Sequence, residues 1–235
     1  VKIGLIDVDS KWPNLALMKL SAYHKGLGDQ VEWYLPLMEH SYDRVYASKV
    51  FTHTPDDEYI PDGAIRGGTG YSTYSSLEPW HEFMKPDYSI YPAYKRDIGF
   101  LTRGCLRNCP WCVVPKFEGD LRVVKDFDEV WTGRKEICFL DNNILGLPST
   151  FRRAVEKARE HGIKISFNQG LDIRLLDSAS AGLLSHMPTY EALHFGFDSL
   201  DYADEFVDGC QLLRKHELIG RTIFLFLVGF GTTIG

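Results

Sequence analysis

Gly99-Phe100-Leu101-Thr102-Arg103-Gly104-Cys105-Leu106-Arg107-Asn108-Cys109-Pro110-Trp111-Cys112 holds three of the chain's five cysteines within eight residues. Its apolar start reads as a strand, so the thiols fall in the loop directly after a strand end. Thiolates are soft ligands suited to iron–sulfur clusters and to zinc, and a compact Cys-x3-Cys-x2-Cys loop can aim three sulfurs at one centre. Three thiols on a four-iron cluster leave one iron open to a non-protein ligand. Zinc is the competing occupant, but it takes four ligands, usually in paired motifs, and the sequence offers no second pair. Cys138 sits mid-strand and Cys210 in a helical segment, each placed as core packing. An odd, small cysteine count is wrong for a disulfide framework and points to a reducing, cytoplasmic setting.

Beyond the loop, strands are expected at Gly99–Thr102, Glu136–Asp141, Lys164–Asn168, Ala192–Asp198 and Thr222–Val228. Helices are expected between them at Asp126–Trp131, Ser149–His161 (with Ser149 as N-cap), Ser178–Ser185 and Tyr202–His216. Regular strand–helix alternation of this kind needs repeated βα crossovers. Ahead of the loop, Val1–Val8, Val31–Leu35 and Arg44–Phe51 read as strands, Asn14–Lys25 as a helix, and Pro61–Tyr71 as a strand running into the Gly67-Gly68 turn. The expected fold class is α/β in two domains, residues 1–98 and 99–235. Short strand–helix connections favour parallel sheets with ligands at the strands' carboxyl ends.

The composition, 44% apolar and 25% charged over 235 residues, is that of a globular protein and excludes disorder and fibres. No apolar run approaches the ~20 residues of a membrane span; the longest, Ile223–Val228, suits a buried strand. No membrane partner is therefore expected. With a net charge of −6, no basic field points to nucleic acid. The strand-like opening lacks the pattern of a secretory leader, and a start without Met reads as part of a longer protein.

From Phe100 onward the chain resembles the radical S-adenosylmethionine (SAM) superfamily. The likeness is carried by Cys105, Cys109 and Cys112, by Arg103-Gly104 ahead of them and by the aromatic Trp111 before the last cysteine. It implies a (βα)6-type barrel, here incomplete at its C-terminal end, whose three cysteines hold a [4Fe-4S] cluster that SAM chelates through the open iron. Reductive cleavage of SAM to a 5′-deoxyadenosyl radical is the implied activity, with a reductant such as flavodoxin or ferredoxin as partner and the substrate unidentified.

The resemblance also assigns strand ends. Asp141-Asn142-Asn143 matches the position that binds the SAM amino group, where many members carry Gly-Gly-Glu. Asp198-Ser199 matches a Glu-Ser that contacts ribose or methionine, with an arm one methylene shorter. Gly229, in Val228-Gly229-Phe230-Gly231, matches the glycine-rich segment beside adenine. Asn168 is a candidate for a ribose or sulfonium-side contact, Arg174 for the methionine carboxylate, and Trp111 for adenine. The alternative for the strand-end Asp, Asn, Ser and Gly residues is an ordinary turn or cap role, and for Trp111 a plug against the core.

The N-terminal domain resembles the Rossmann-like, cobalamin-binding-like domain that precedes the radical SAM core in one class, with Gly67-Gly68 at the matching turn. The Asp-x-His-x-x-Gly signature of base-off cobalamin binding is absent, although many members lack it, which leaves cobalamin open as a second cofactor. The absence of cysteine from residues 1–104 argues against a methylthiotransferase, which carries three there. The alternatives are a cobalamin-dependent methyltransferase and, from a different class, a non-catalytic metal-binding module.

Overall fold

The computed structural model describes residues 1–56, 58–71 and 77–226. The chain forms two compact units, the first ending at Lys95 and the second beginning at Arg96. Both are mixed α/β with parallel sheets. Among the described residues no helix is long and apolar enough to cross a membrane.

The first unit contains β1 (Lys2–Asp7), α1 (Leu15–Gly26), β2 (Gln30–Trp33), β3 (Arg44–Ser48), β4 (Ile65–Gly67) and the single turn α2 (Pro79–Glu82). Its four strands lie in the order β2-β1-β3-β4, every neighbouring pair parallel. β1 is central because its Ile3 and Leu5 are buried while both its edges are paired. α1 starts where the Asn14 side chain accepts the Leu17 N–H at 3.2 Å, satisfying an otherwise orphan donor of the first turn. Its Leu17, Met18 and Leu20 are buried. Asp87–Tyr91 forms a short 3-10 turn, Tyr88–Ile90, because the Asp87 carboxylate accepts the Ser89 N–H at 2.9 Å.

The second unit runs β5 (Asp97–Gly99), β6 (Thr102–Arg103), α3 (Val114–Glu118), β7 (Arg122–Val123), α4 (Phe127–Val130), β8 (Glu136–Phe139), α5 (Pro148–Glu160), β9 (Lys164–Phe167), α6 (Ser178–Ser185), β10 (Leu193–Phe197), α7 (Ala203–Lys215) and β11 (Thr222–Phe226). β5, β8 and β9 form one parallel sheet and β10 and β11 another. A parallel bridge from Leu171 to Phe195 joins the segment after β9 to β10, so neighbouring strands follow chain order. The core lies between these strands and helices α4, α5, α6 and α7. Phe139 and Phe167 stack at 5.7 Å, Phe151 of α5 packs on Phe167 at 5.8 Å, and Ile137, Ile165 and Phe195 are buried beside them. Full burial of each such side chain contributes roughly 1.5–3 kcal/mol.

Three differences from the sequence expectation have clear causes. The strand expected over Gly99–Thr102 divides into β5 and β6, because the Asp141 carboxylate takes the N–H groups of Leu101 and Thr102 and bends the chain there. The compact unit begins ahead of Gly99, since Asp97 is already a buried strand residue, its carboxylate accepting the Thr132 N–H and hydroxyl at 2.7 Å each. Helix α5 starts at Pro148 with Leu147 as its cap, so Ser149 lies inside the first turn. Proline at the first helical position has no N–H to satisfy and a φ already suited to the helix, and the helix starts there without a side-chain cap.

Candidate functional site

The cysteine loop runs from β6 into α3, and its base is fixed by one carboxylate. Glu118, the last residue of α3, accepts from Arg103 Nη1, the Gly104 N–H and Asn142 Nδ2, each at 2.8 Å. Gly104 has φ +81°, and a Cβ there would lie 2.3 Å from the Asp120 carbonyl oxygen, so only glycine fits between the strand and the first cysteine. The loop then curls around its own sulfurs. The Arg107 N–H points at Cys105 Sγ at 3.4 Å, and the Cys112 N–H bonds the Cys109 carbonyl at 3.0 Å. Cys105, Cys109 and Cys112 are all half-buried free thiols. Burial pushes the Cys109 thiol pKa up, against the pull of the neighbouring Arg174 guanidinium.

A polar group from the ends of β8 and β9 faces these thiols. Asn143 donates from Nδ2 toward Cys105 Sγ at 3.6 Å and to Asp172 Oδ2 at 3.1 Å. Its Oδ1 is buried with no hydrogen-bond partner, in a residue only 3% exposed. Asp172 also accepts from Arg107 Nε at 2.9 Å and from Arg174 Nε at 2.6 Å. Burial raises the Asp172 pKa, but Arg174 and Arg107 outweigh it and hold the carboxyl below its ordinary range. Arg174 lies over the Tyr202 ring at 4.3 Å. The Tyr202 hydroxyl donates to Asp198 Oδ1 and accepts the Asp198 N–H at 2.7 Å. Burial, and then that carboxylate, push the tyrosine pKa up to about 12. A recess of about 560 Å³ beside Cys105 is lined by Leu106, Arg107, Pro115, Leu121 and Leu147 among others.

The candidate residues are distributed unevenly around this loop. Asn143 and Arg174 adjoin the cysteines. Asp141 is fully buried, and its oxygens are engaged by Leu101 and by Thr102. Ser199 caps the turn Leu200–Tyr202 by accepting the Asp201 N–H at 3.1 Å, and Asp198 is joined to Tyr202. Asn168 is exposed, and Trp111 is half-buried in the loop itself. Gly229 lies outside the described residues. Asp172, Arg107, Tyr202 and Glu118 belong to the site without having stood out in the sequence. Only the Asp172-Ile173-Arg174 pairing just past a strand end gave a local signal. Among the described residues no three His, Cys, Asp or Glu side chains are gathered as ligands of a single ion.

No protein-family model matches the chain, and no curated protein matches it either.

Proposed function

We propose that the second unit is a radical SAM core in which Cys105, Cys109 and Cys112 hold a [4Fe-4S] cluster and SAM occupies the open iron. The observation that carries this reading is the Cys-x3-Cys-x2-Cys loop at the mouth of a chain-ordered series of parallel strands, with Asn143 and Arg174 turned toward two of its thiols. That strand order suits a partial (βα)6-type barrel. A reduced cluster there would, with SAM, supply the chemistry of one-electron C–S cleavage to methionine and a 5′-deoxyadenosyl radical able to abstract hydrogen, the electron coming from a donor such as flavodoxin or ferredoxin.

The donor set fits such a group. Thiolates serving a four-iron cluster stand farther apart than the ligands of one zinc ion, so they need not converge on a single point. The Arg174 guanidinium beside Cys109 offsets thiolate charge. The buried Asn143 Oδ1 is an acceptor without a donor, which costs roughly 1–3 kcal/mol unless a ligand N–H completes it. The SAM amino group is such a donor, and Asn143 suits it better than Asp141, whose oxygens already serve Leu101 and Thr102. Arg174 carries the charge that suits the methionine carboxylate.

In the first unit, the order β2-β1-β3-β4 suits a Rossmann-like sheet. The segments at the carboxyl ends of its strands are tied to one another. Asp9 accepts the Val50 and Phe51 N–H groups at 2.7 and 2.9 Å, and Asn14 donates to Ser48 Oγ at 2.8 Å. Gly68 lies so close that a Cβ would be 2.4 Å from the Lys49 carbonyl. These contacts favour a scaffold role over a corrinoid site. Iron and acid-labile sulfide analysis of anaerobically reconstituted protein tests the reading. The expectation is about four irons and as many sulfides per chain, lost on Cys105→Ala, Cys109→Ala or Cys112→Ala. Bound zinc without sulfide would contradict it.

A further inference from the structure

We propose that Asp172 is a positioning residue that locks the cysteine loop to the segment after β9 and sets the charge beside the thiols; the inference rests on the cluster-binding reading above.

The Asp172 side chain is 7% exposed, yet it collects donors from three separate parts of the unit. Arg107 Nε reaches it at 2.9 Å from the loop, and Asn143 Nδ2 at 3.1 Å from beyond β8. Arg174 Nε and Nη2 reach it at 2.6 and 3.1 Å from its own turn. Two of these partners also address thiols. Asn143 reaches toward Cys105, and Arg174 acts on Cys109. One carboxylate therefore holds both the amide beside the first cysteine and the guanidinium beside the second. Removing it would leave two cations and a buried amide without their shared acceptor, and such disruptions are expensive in a partly desolvated site. The carboxylate also offsets the charge of Arg107 and Arg174. The net charge near an iron–sulfur cluster is one of the levers on its potential, so neutralising Asp172 should make the cluster easier to reduce.

Asp172 also accepts the Arg174 N–H at 3.2 Å, as a plain turn cap would, and the test must separate the two roles. Wild type, Asp172→Asn, Asp172→Glu, Arg107→Gln and the Asp172→Asn/Arg107→Gln double variant would be reconstituted anaerobically and titrated redox-potentiometrically with EPR detection. The expected result is a higher midpoint potential in Asp172→Asn, a lower one in Arg107→Gln, and a value nearer wild type in the double variant and in Asp172→Glu. If Asp172→Asn does not fold, Arg107→Gln carries the sign test alone, because Arg107 lies at the partly exposed side of the pair. Wild-type potential and g-values in both single variants, with only thermal stability changed, would overturn the proposal while leaving the cluster assignment intact. A wild-type chain that takes up no iron would overturn the assignment and this inference together.

Discussion

Asp141 Oδ1 accepts both the backbone N–H and the hydroxyl of Thr102, at 2.5 and 2.6 Å, and so turns the chain out of its parallel ladder just before the cysteine loop. The carboxylate is fully buried, and burial pushes its pKa up to about 6 despite those donors. The folded state thus holds the Asp141 proton more tightly than the unfolded chain does. This contribution is most favourable below the unfolded value near 4 and is lost as pH rises through about 6. Asp141→Asn removes the titration. Its melting temperature relative to wild type should therefore rise between about pH 4 and pH 6, as thermal melts across that range would record. A wild-type-minus-variant difference that does not change with pH would contradict a buried, titrating Asp141.

Gly104→Ala places a methyl 2.3 Å from the Asp120 carbonyl at a backbone angle of φ +81°. Strain of this kind costs on the order of 1–3 kcal/mol, and the loop relieves it most easily by moving away from Gly119 and Asp120. The expected outcome is reduced iron uptake with the rest of the unit still folded. Metal analysis alongside far-UV circular dichroism checks it.

Asn143→Ala deletes the buried acceptor beside Cys105 but none of the thiols. Iron content should be kept, while SAM affinity falls about tenfold, the equivalent of one hydrogen bond of ~1.4 kcal/mol. Titration of SAM into the reconstituted variant, followed calorimetrically, measures this. Unchanged affinity would remove Asn143 from the proposed SAM site.

Phe139→Ala opens a cavity where the ring stacks on Phe167 and packs near Phe127. The expected loss is about 3–5 kcal/mol in the unfolding of the second unit, read from urea denaturation. A loss well below that range would mean the site collapses around the missing ring.

Much of this architecture is visible in the residues themselves. β1, β8, β9 and β10 sit where short apolar runs end at Asp or Asn, and the first helix begins after Asn14 with a side-chain cap. The thiol loop is plain from spacing alone. The polar shell is not. Asp172 stands 65 residues from Arg107 and 29 from Asn143, and only folding joins them. Asp141 and Ser199 have the composition of ligand contacts but serve backbone donors, and nothing in one sequence separates the two roles before the chain's own hydrogen bonds are known. Pro148 takes the first helical position, where its ring pre-sets φ and one unpaired N–H is absent, and this places Ser149 inside the first turn and not at the cap.

The proposed function stands or falls with a four-iron cluster on Cys105, Cys109 and Cys112 that leaves one iron open to SAM. Low-temperature EPR of the anaerobically reconstituted, dithionite-reduced protein, recorded with and without SAM, tests it most directly. A [4Fe-4S]⁺ signal whose g-values shift when SAM is added is the expected result. A cluster signal indifferent to SAM, or no cluster signal from a protein that carries zinc, would contradict it.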